Sequence, residues 1–162
     1  QPLAGRLEIV TVAGGTPVVV DNAQTPYALE QVITALREIS GQRLVVVFGC
    51  GGDRDPGKRA QMGEVVGRLA EVPIVTTDNP RSEDPQAIIE TVMQGVRASG
   101  NLRSLAIPDR REAIAAALAI ANGGSIVLIA GKGHEREQLF ADRTVPFEDR
   151  LVVQELARRR RP

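Results

Sequence analysis

The 162-residue sequence has little of what several common classes of protein require. It contains one cysteine, Cys50, which cannot form an intramolecular disulfide and is typical of a chain in a reducing compartment. Only one histidine accompanies it, so a metal cluster built from Cys and His is excluded. Lys plus Arg and Asp plus Glu number 20 each, and this zero net charge gives no overall field that would attract nucleic acid or a membrane.

Long hydrophobic runs are also missing. The apolar runs, such as LVVVFG and SIVLIAG, have the length of strands and fall far short of the roughly 20 residues that span a bilayer. No signal-peptide pattern opens the sequence. We therefore expect a cytoplasmic protein with no nucleic-acid or membrane partner. The four arginines at residues 158–161 are interpreted as a positive C-terminal helical turn or tail.

The sequence does contain a regular alternation of strand and helix patterns. Two β-rich runs, RLEIVTV and TPVVVD, are separated by AGG and indicate a hairpin. After a helical stripe that begins at Pro26, amphipathic helices alternate with the strand patterns RLVVVFG, VPIVTT, RSLAIP and SIVLIAG. Uniformly apolar strands between helices predict a mostly parallel sheet with helices on both faces. The expected fold is a Rossmann-like α/β domain over residues 1–162, with an N-terminal β-hairpin.

The unusual residues are concentrated in the segments that follow strands. Four of these segments are polar: DNAQTP, GCGGDRDPGKR, DNPRSEDP and GKGHEREQ. Right-handed crossovers bring every strand-to-helix turn to the same edge of a parallel sheet, where open α/β folds place their ligands. The sequence therefore predicts one site made by four loops.

The segment GCGGDRDPGKR combines glycines with charges of both signs just before a helix: Asp53, Arg54, Asp55, Lys58 and Arg59. Backbone amides at a helix N-terminus together with basic side chains suit an anion, either phosphate or carboxylate. A flexible turn with solvated charges is the simpler alternative. Nothing near Cys50 supplies the general base that a nucleophile needs, so we expect a packing role for it. Met62 and Met93 are expected in the core.

Two short motifs indicate polar recognition. GKGHE, residues 131–135, is not a Walker phosphate loop, which needs four residues between its glycines before Gly-Lys-Ser/Thr. His134, interpreted as structural by itself, and Glu135 follow a strand and favour substrate recognition over a bare turn. In DNPR, residues 78–81, Asn and Pro are ordinary turn residues. An arginine just past a strand end can in addition bind a carboxylate through two hydrogen bonds.

In order, the segments GRLE, VVDNAQTPYALE, VFGCGGDRDPGKR, TTDNPRSEDP, AGKGHE and FEDR resemble the C-terminal domain of the Mur ligases. The resemblance is strongest to the members that add the third residue of the peptidoglycan stem peptide. It implies an ATP-dependent amide ligation, in which the D-glutamate carboxyl of a UDP-N-acetylmuramoyl dipeptide is phosphorylated and then attacked by the amine of an incoming amino acid. In that family the C-terminal domain closes over the nucleotide and carries the amino-acid pocket.

The resemblance also implies roles for single residues. In members that add meso-diaminopimelate, the Asn and Arg of DNPR hold its distal carboxylate, and these correspond to Asn79 and Arg81. Gly131, Glu135 and Arg54 look like the other amino-acid contacts. Members that add lysine usually lack the arginine, so Arg81 favours diaminopimelate. The resemblance implies no catalytic residue and no metal ligand in this chain.

The nucleotide-facing motif departs from the family. Members commonly read Asp-Tyr-Ala-His-Thr-Pro where residues 21–26 read Asp-Asn-Ala-Gln-Thr-Pro. Asp21, Asn22 and Gln24 are therefore the expected nucleotide-binding residues, although neither Asn nor Gln can stack a ring or carry a proton. The phosphate loop, the magnesium-holding residues and the UDP-sugar domain of the family are also missing. Since QPLAGRLE resembles the family's interdomain linker, we expect an excised domain, inactive alone, with ATP and Mg²⁺ bound mainly by the missing central domain.

Two alternatives stay open at this point. Asn22 and Gln24 would also suit a non-catalytic binding or regulatory protein descended from a Mur ligase. A related amide ligase with another amino-acid acceptor, such as a folylpolyglutamate or cyanophycin-type enzyme, is the second alternative. The pairing of DNPR with GKGHE argues against the latter.

Overall fold

A computed structural model describes residues 5–11, 15–121 and 123–159 of the chain. The strands are β1 (Glu8–Thr11), β2 (Pro17–Asp21), β3 (Arg43–Phe48), β4 (Val72–Val75), β5 (Leu105–Ala106), β6 (Ser125–Ala130), β7 (Glu137–Leu139) and β8 (Thr144–Pro146). The helices are α1 (Pro26–Ser40), α2 (Gly57–Leu69), α3 (Pro85–Ala98), α4 (Arg110–Ile120) and α5 (Asp149–Arg159). Strands and helices alternate through most of this order, as the sequence predicts.

Six of these strands form one sheet in the order β1-β2-β6-β3-β4-β5. β1 and β2 pair antiparallel, which confirms the predicted N-terminal hairpin, although residues 12–14 lie outside the described part. The other neighbouring pairs are parallel. β6 lies between β2 and β3, so the strands that precede the polar loops stand side by side. The expected mostly parallel sheet is confirmed.

The sheet separates two hydrophobic cores because successive side chains of a strand point to opposite faces. On one face Val46, Phe48 and Leu128 pack with α1, α2 and α3. On the other face Val47 and Ile129 pack with α4 and α5. The two central strands β3 and β6 are therefore buried on both sides, and the predicted helices on both faces are confirmed. Cys50, Met62 and Met93 lie in the first core, as expected.

Two of the helices begin directly after polar loops at defined capping residues. Thr25 accepts a hydrogen bond from the amide of Ala28 at 3.0 Å, with a proline in the first turn of α1. Asp84 accepts one from the amide of Gln86 at 3.0 Å, again with proline in the first turn of α3. These caps fix where each loop ends.

The structure differs from the sequence prediction in two places. The strand predicted from RSLAIP is only Leu105–Ala106, an exposed edge strand paired with β4 alone. The segment predicted as a loop after GKGHE contains the antiparallel hairpin β7–β8. Its strands have three residues each and no continuous apolar run, so no periodic signal marks them. The arginine run extends past α5, and residues 160–162 lie outside the described part.

Across residues 5–11, 15–121 and 123–159, no helix has both the length and the apolar character that crossing a bilayer requires.

Candidate amino-acid and nucleotide site

The four polar loops meet at the carboxyl edge of the sheet, as the sequence predicts, and enclose an open cleft of about 440 Å³. Every loop contributes to its lining: Gln24, Thr25, Gly49, Cys50, Gly51, Arg54, Asp55, Lys58, Arg59, Met62, Asp78, Arg81 and Glu135. Arginine, lysine and carboxylate side chains therefore share one wall with the sulfur atoms of Cys50 and Met62. A polar ligand with an aliphatic part suits such a surface.

The loops after β3 and β4 are held together by an ion pair. Arg59 donates two hydrogen bonds to the carboxylate of Glu83, at 2.6 and 3.1 Å. The same carboxylate accepts the amide of Asp53 at 2.7 Å, and the amide of Gly52 donates to the carbonyl of Asn79 at 2.8 Å. The hydrogen bond with Glu83 raises the pKa of Arg59. Arg59 is thus engaged within the protein and braces the cleft.

Arg81 has a strained backbone and a guanidinium that faces the neighbouring loop. Its φ of 52° lies in the left-handed region that non-glycine residues rarely occupy. Its amide donates to the carbonyl of Leu139 at 2.9 Å, and its Nη1 donates to the carbonyl of Gly52 at 2.9 Å. Strain of this kind persists where surrounding contacts determine the conformation, and it concentrates at binding sites.

Asn79, Lys132 and Glu135 form a connected network beside Arg81. Asn79 Nδ2 donates to Glu135 Oε2 at 3.0 Å. Lys132 Nζ donates to Asn79 Oδ1 at 2.9 Å, and the amide of Leu139 donates to the same oxygen at 3.1 Å. Asn79 and Lys132 are buried, whereas the side chain of Glu135 is 40% exposed. The network ends in the cleft at the Glu135 carboxylate.

Asp78 is a buried carboxyl group at the floor of this cleft. Its Oδ2 accepts no hydrogen bond from the residues that the structure describes. Burial raises its pKa, and the nearby cations Arg110 and Lys132 partly oppose that rise. Gly131 has a φ of 115°, and a Cβ there would lie 2.6 Å from Asp78 Oδ2. The first glycine of GKGHE is therefore required by backbone conformation and by the approach of this carboxyl group.

Arg110 and Asp149 form a fully buried ion pair next to the loops of the cleft. Arg110 donates to Asp149 through Nε and Nη2, both at 2.8 Å, and both side chains are fully buried. Arg110 also donates to the carbonyl of Thr77 at 3.1 Å and to that of Ala130 at 3.4 Å. These carbonyls lie at the ends of the segments that lead into DNPR and GKGHE. The pair thus ties α4 and α5 to both loops.

The loop predicted to face a nucleotide has a mixed character. Both carboxylate oxygens of Asp21 accept backbone amides, from Leu7 at 2.9 Å and from Ala23 at 2.8 Å. Asp21 is therefore committed to shaping its loop, while Asn22 is exposed. Gln24 lines the cleft and donates through Nε2 to the carbonyl of Gly131. Exposed amide side chains fit a nucleotide's hydrogen-bonding groups.

The structure brings most of the predicted site residues together. Arg54, Arg81, Glu135 and Gln24 line the cleft, and Asn79 and Gly131 are hydrogen-bonded to lining residues. Asp21 and Asn22 lie outside this lining. Arg54 is exposed at the rim, where its Nη1 donates to the carbonyl of Asp53 at 3.0 Å.

Sequence reasoning gave no role to Asp78, Lys132 or Arg110. Asp78 and Lys132 stand within the recognised motifs, so their position directly after apolar strands was an available signal. No sequence signal marked Arg110, because its role depends on Asp149 in α5, 39 residues away along the chain. Within the described ranges no group of three or more His, Cys, Asp and Glu side chains is placed to hold a metal ion.

The chain belongs to the family described as Mur ligase, glutamate ligase domain, whose profile matches residues 5–133. Within that family it is 47% identical, over 98% of its length, to a protein of Syntrophomonas wolfei subsp. wolfei named UDP-N-acetylmuramoyl-L-alanyl-D-glutamate–2,6-diaminopimelate ligase. It is 50% identical, over 96% of its length, to a protein of the same name from Chromobacterium violaceum. The chain spans about a third of these relatives, 32% and 31% of their lengths.

The solved structures agree with this assignment. A structure described as UDP-N-acetylmuramoyl-L-alanyl-D-glutamate–2,6-diaminopimelate ligase matches 98% of this chain and 32% of its own, with a TM-score of 0.88 and 41% identity. A bifunctional folylpolyglutamate synthase/dihydrofolate synthase from Yersinia pestis matches 80% of this chain and 28% of its own, with a TM-score of 0.60 and 17% identity. The latter likeness shows a shared fold alone.

Proposed function

We propose that this chain is the amino-acid-binding domain of an ATP-dependent ligase that adds meso-diaminopimelate to UDP-N-acetylmuramoyl-L-Ala-D-Glu in peptidoglycan synthesis. The domain receives the incoming amino acid in the cleft at the sheet edge and closes over the nucleotide. The remaining two thirds of such an enzyme would supply the UDP-sugar site and most of the contacts to ATP and Mg²⁺. The names of the relatives support the choice of acceptor.

The observation that carries this proposal is that Arg81 and Glu135 line one cleft and that Asn79 donates a hydrogen bond to the Glu135 carboxylate beside it. A guanidinium and an amide N–H donate to a carboxylate, and the Glu135 carboxylate accepts from an ammonium. Together they complement the amino and carboxyl groups at one end of an amino acid. meso-Diaminopimelate carries such a pair at each end, so one end can be held while the amine at the other reacts.

Arg81 then accounts for discrimination against lysine. L-Lysine has no second carboxylate, so its binding would leave the half-buried guanidinium without its ligand partner. A site built to hydrogen-bond a group rejects the analogue that lacks it more strongly than an apolar pocket rejects a missing methylene. We expect Arg81 to contribute selectivity rather than overall affinity for amino acids.

ATP would supply the phosphoryl group that activates the D-glutamate carboxyl of the UDP-N-acetylmuramoyl dipeptide for attack by the incoming amine. In this chain the exposed Asn22 and the cleft residue Gln24 are the side chains that would contact the nucleotide, while Asp21 shapes their loop through its two backbone hydrogen bonds. The magnesium site would belong to the remaining part of the enzyme.

The test is an amide NMR titration of the 162-residue chain with meso-diaminopimelate and, separately, with L-lysine. We expect shifts at Asn79, Arg81 and Glu135 with meso-diaminopimelate, and weak or absent shifts with L-lysine. Arg81→Ala should weaken meso-diaminopimelate by roughly tenfold or more, as for loss of a hydrogen-bonded charge. Arg103→Ala is the matched control, since this exposed arginine precedes β5 at the opposite edge of the sheet.

Equal affinity for L-lysine, or unchanged affinity in Arg81→Ala, would contradict the assignment of Arg81. Binding of glutamate or arginine in place of meso-diaminopimelate would favour a related ligase with another acceptor. Absence of binding by any amino acid would mean either that the pocket needs the remaining two thirds of the enzyme or that it is degenerate, as in the non-catalytic alternative.

A further inference from the structure

Lys132 is a buried cation at the ligand cleft to which the proposed function gives no role. Its side chain is fully buried although it follows the last strand of the sheet and precedes the exposed His134. Its Nζ donates to Asn79 Oδ1 at 2.9 Å and to the carbonyl of Glu137, and lies 3.9 Å from Glu135 Oε2. Burying an ammonium is costly, so its retention here calls for a function beyond filling space.

The partners of Asn79 determine which way its amide faces. An ammonium and a backbone amide only donate hydrogen bonds, so the atom that receives both Lys132 Nζ and the amide of Leu139 must be the carbonyl oxygen Oδ1. Nδ2 is thereby directed toward Glu135 Oε2, 3.0 Å away. Asn79 can present only N–H groups on the side that faces Glu135.

We infer that Lys132 is a positioning residue that fixes the Asn79 amide, so that the cleft offers an N–H donor to a ligand carboxylate and refuses an ammonium at that point. The inference rests on the proposed amino-acid site and deepens it. The positive charge of Arg81 attracts the ligand carboxylate, and the fixed N–H group of Asn79 determines how that carboxylate is oriented. Without the ammonium, the amide of Leu139 alone would hold Oδ1, and an Asn79 side chain that rotated would offer its carbonyl oxygen, which accepts from an ammonium.

The surrounding charges are consistent with this role. Burial lowers the pKa of Lys132, while the neighbouring Asp78 opposes that effect. A simpler role is a tether for the β7–β8 hairpin through the carbonyl of Glu137. The two roles predict different results, because a tether affects stability while a positioning residue affects ligand choice.

The test uses the 162-residue chain and follows the side-chain NH₂ signals of Asn79, assigned through their loss in Asn79→Asp. Lys132→Met should shift these signals and weaken meso-diaminopimelate by about tenfold or more, the effect of losing a charge-assisted hydrogen bond. In an Asn79→Ala background, which removes the amide without creating a new charge, the same substitution should have little further effect, since Lys132 acts through Asn79. The affinity for L-lysine should fall less than that for meso-diaminopimelate.

Gln138→Met is the matched control, because Gln138 anchors the same hairpin through hydrogen bonds to the carbonyls of Thr77 and Asp78 rather than to the Asn79 side chain. It should leave the Asn79 signals in place. The inference is overturned if Lys132→Met leaves signals and affinity unchanged, or if Gln138→Met has the same effect. If Lys132→Met does not fold, Asn79→Asp alone decides, since wild-type affinity in that variant would show that no N–H of Asn79 reads a carboxylate. Should the wild-type chain bind no meso-diaminopimelate by itself, the proposed function loses the support of this titration, while the Asn79 signals still test Lys132.

Discussion

The Arg110–Asp149 pair and the Asp78 carboxyl group are buried under the same loops but differ in how they are satisfied. Arg110 and Asp149 share two hydrogen bonds of 2.8 Å, and Arg110 also reaches the carbonyls of Thr77 and Ala130. Asp78 Oδ2, by contrast, receives no hydrogen bond from the described residues. The Arg110–Asp149 pair is therefore satisfied by hydrogen bonds within the fold, whereas Asp78 keeps an acceptor atom beside the cleft without a hydrogen bond from the described part of the chain.

This difference indicates which buried charges build the scaffold and which belong to the site. A buried charge whose partners are all internal stabilises one arrangement of the chain, whereas an unsatisfied one is costly unless something else uses it. Burial near a cleft is therefore not enough to identify a ligand-binding residue. A buried charged group that lacks a hydrogen-bond partner within the protein is the better indicator of a ligand-binding residue.

Breaking the complete pair should have the largest effect on stability. Arg110→Met leaves Asp149 charged and buried, and we expect a loss of about 3–5 kcal/mol in the free energy of unfolding, measured by urea denaturation. Arg111→Met is the matched control, because Arg111 pairs with Glu155 at 2.9 Å on the surface with both side chains over a third exposed. The control should cost less than about 1 kcal/mol. Similar losses in both variants would show that the buried Arg110–Asp149 pair matters no more for stability than the surface Arg111–Glu155 pair.

Asp78 should respond in the opposite sense. Its folded pKa is raised by burial, so its contribution to stability is present below the unfolded pKa and is lost as pH rises through the folded value. Asp78→Asn imitates the protonated form, so its stability relative to wild type should rise as pH increases from the ordinary carboxyl pKa of 3.8 through the raised folded pKa. Urea denaturation at several pH values measures this difference.

The exposed Asp142→Asn variant serves as the control for Asp78 and should show no such trend. A stability difference between Asp78→Asn and wild type that is independent of pH would mean that Asp78 is satisfied in solution by a group outside the described residues.

The prediction with the smallest expected effect concerns Cys50, a neutral buried group of the same cleft. Burial raises the pKa of its thiol to about 12, so the reactive thiolate at about pH 8 is on the order of one part in ten thousand. We expect labelling by an aromatic disulfide reagent to be slow in the folded chain and fast in urea. A Cys50→Ala/Ile39→Cys chain, with its thiol at a position 83% exposed, should label quickly when folded. Fast labelling of Cys50 would show that the cleft opens further.

The sheet and the meeting of four loops could be predicted because both follow from local patterns. Apolar runs such as residues 44–48 and 126–130 indicate buried parallel strands, and the turns that follow such strands share an edge. Arg81 was identifiable because turn chemistry leaves an arginine unexplained. Arg54 and Glu135 also stood out by their place in polar loops after strands, and the resemblance to a family supplied the other site residues.

The burial of Lys132 and Asp78 could not be predicted in the same way. Whether a charged side chain after a strand turns into the protein or into water depends on partners elsewhere, here Asn79 for Lys132 and Gly131 beside Asp78. The β7–β8 hairpin that covers Lys132 has too few residues to give a period. The sequence places such groups at the correct edge, and only tertiary contacts decide their burial.

The position of β6 between β2 and β3 has a consequence for the order in which the chain acquires its structure. Until residues 125–130 have left the ribosome, β2 and β3 have no strand between them, and their buried edges stay unpaired. The loops after β2 and β3 are brought together by that final insertion. A nascent chain that ends at α4 would thus expose the edges of β2 and β3 to neighbouring chains. We expect chaperones to bind this part of the chain before the ligand cleft exists.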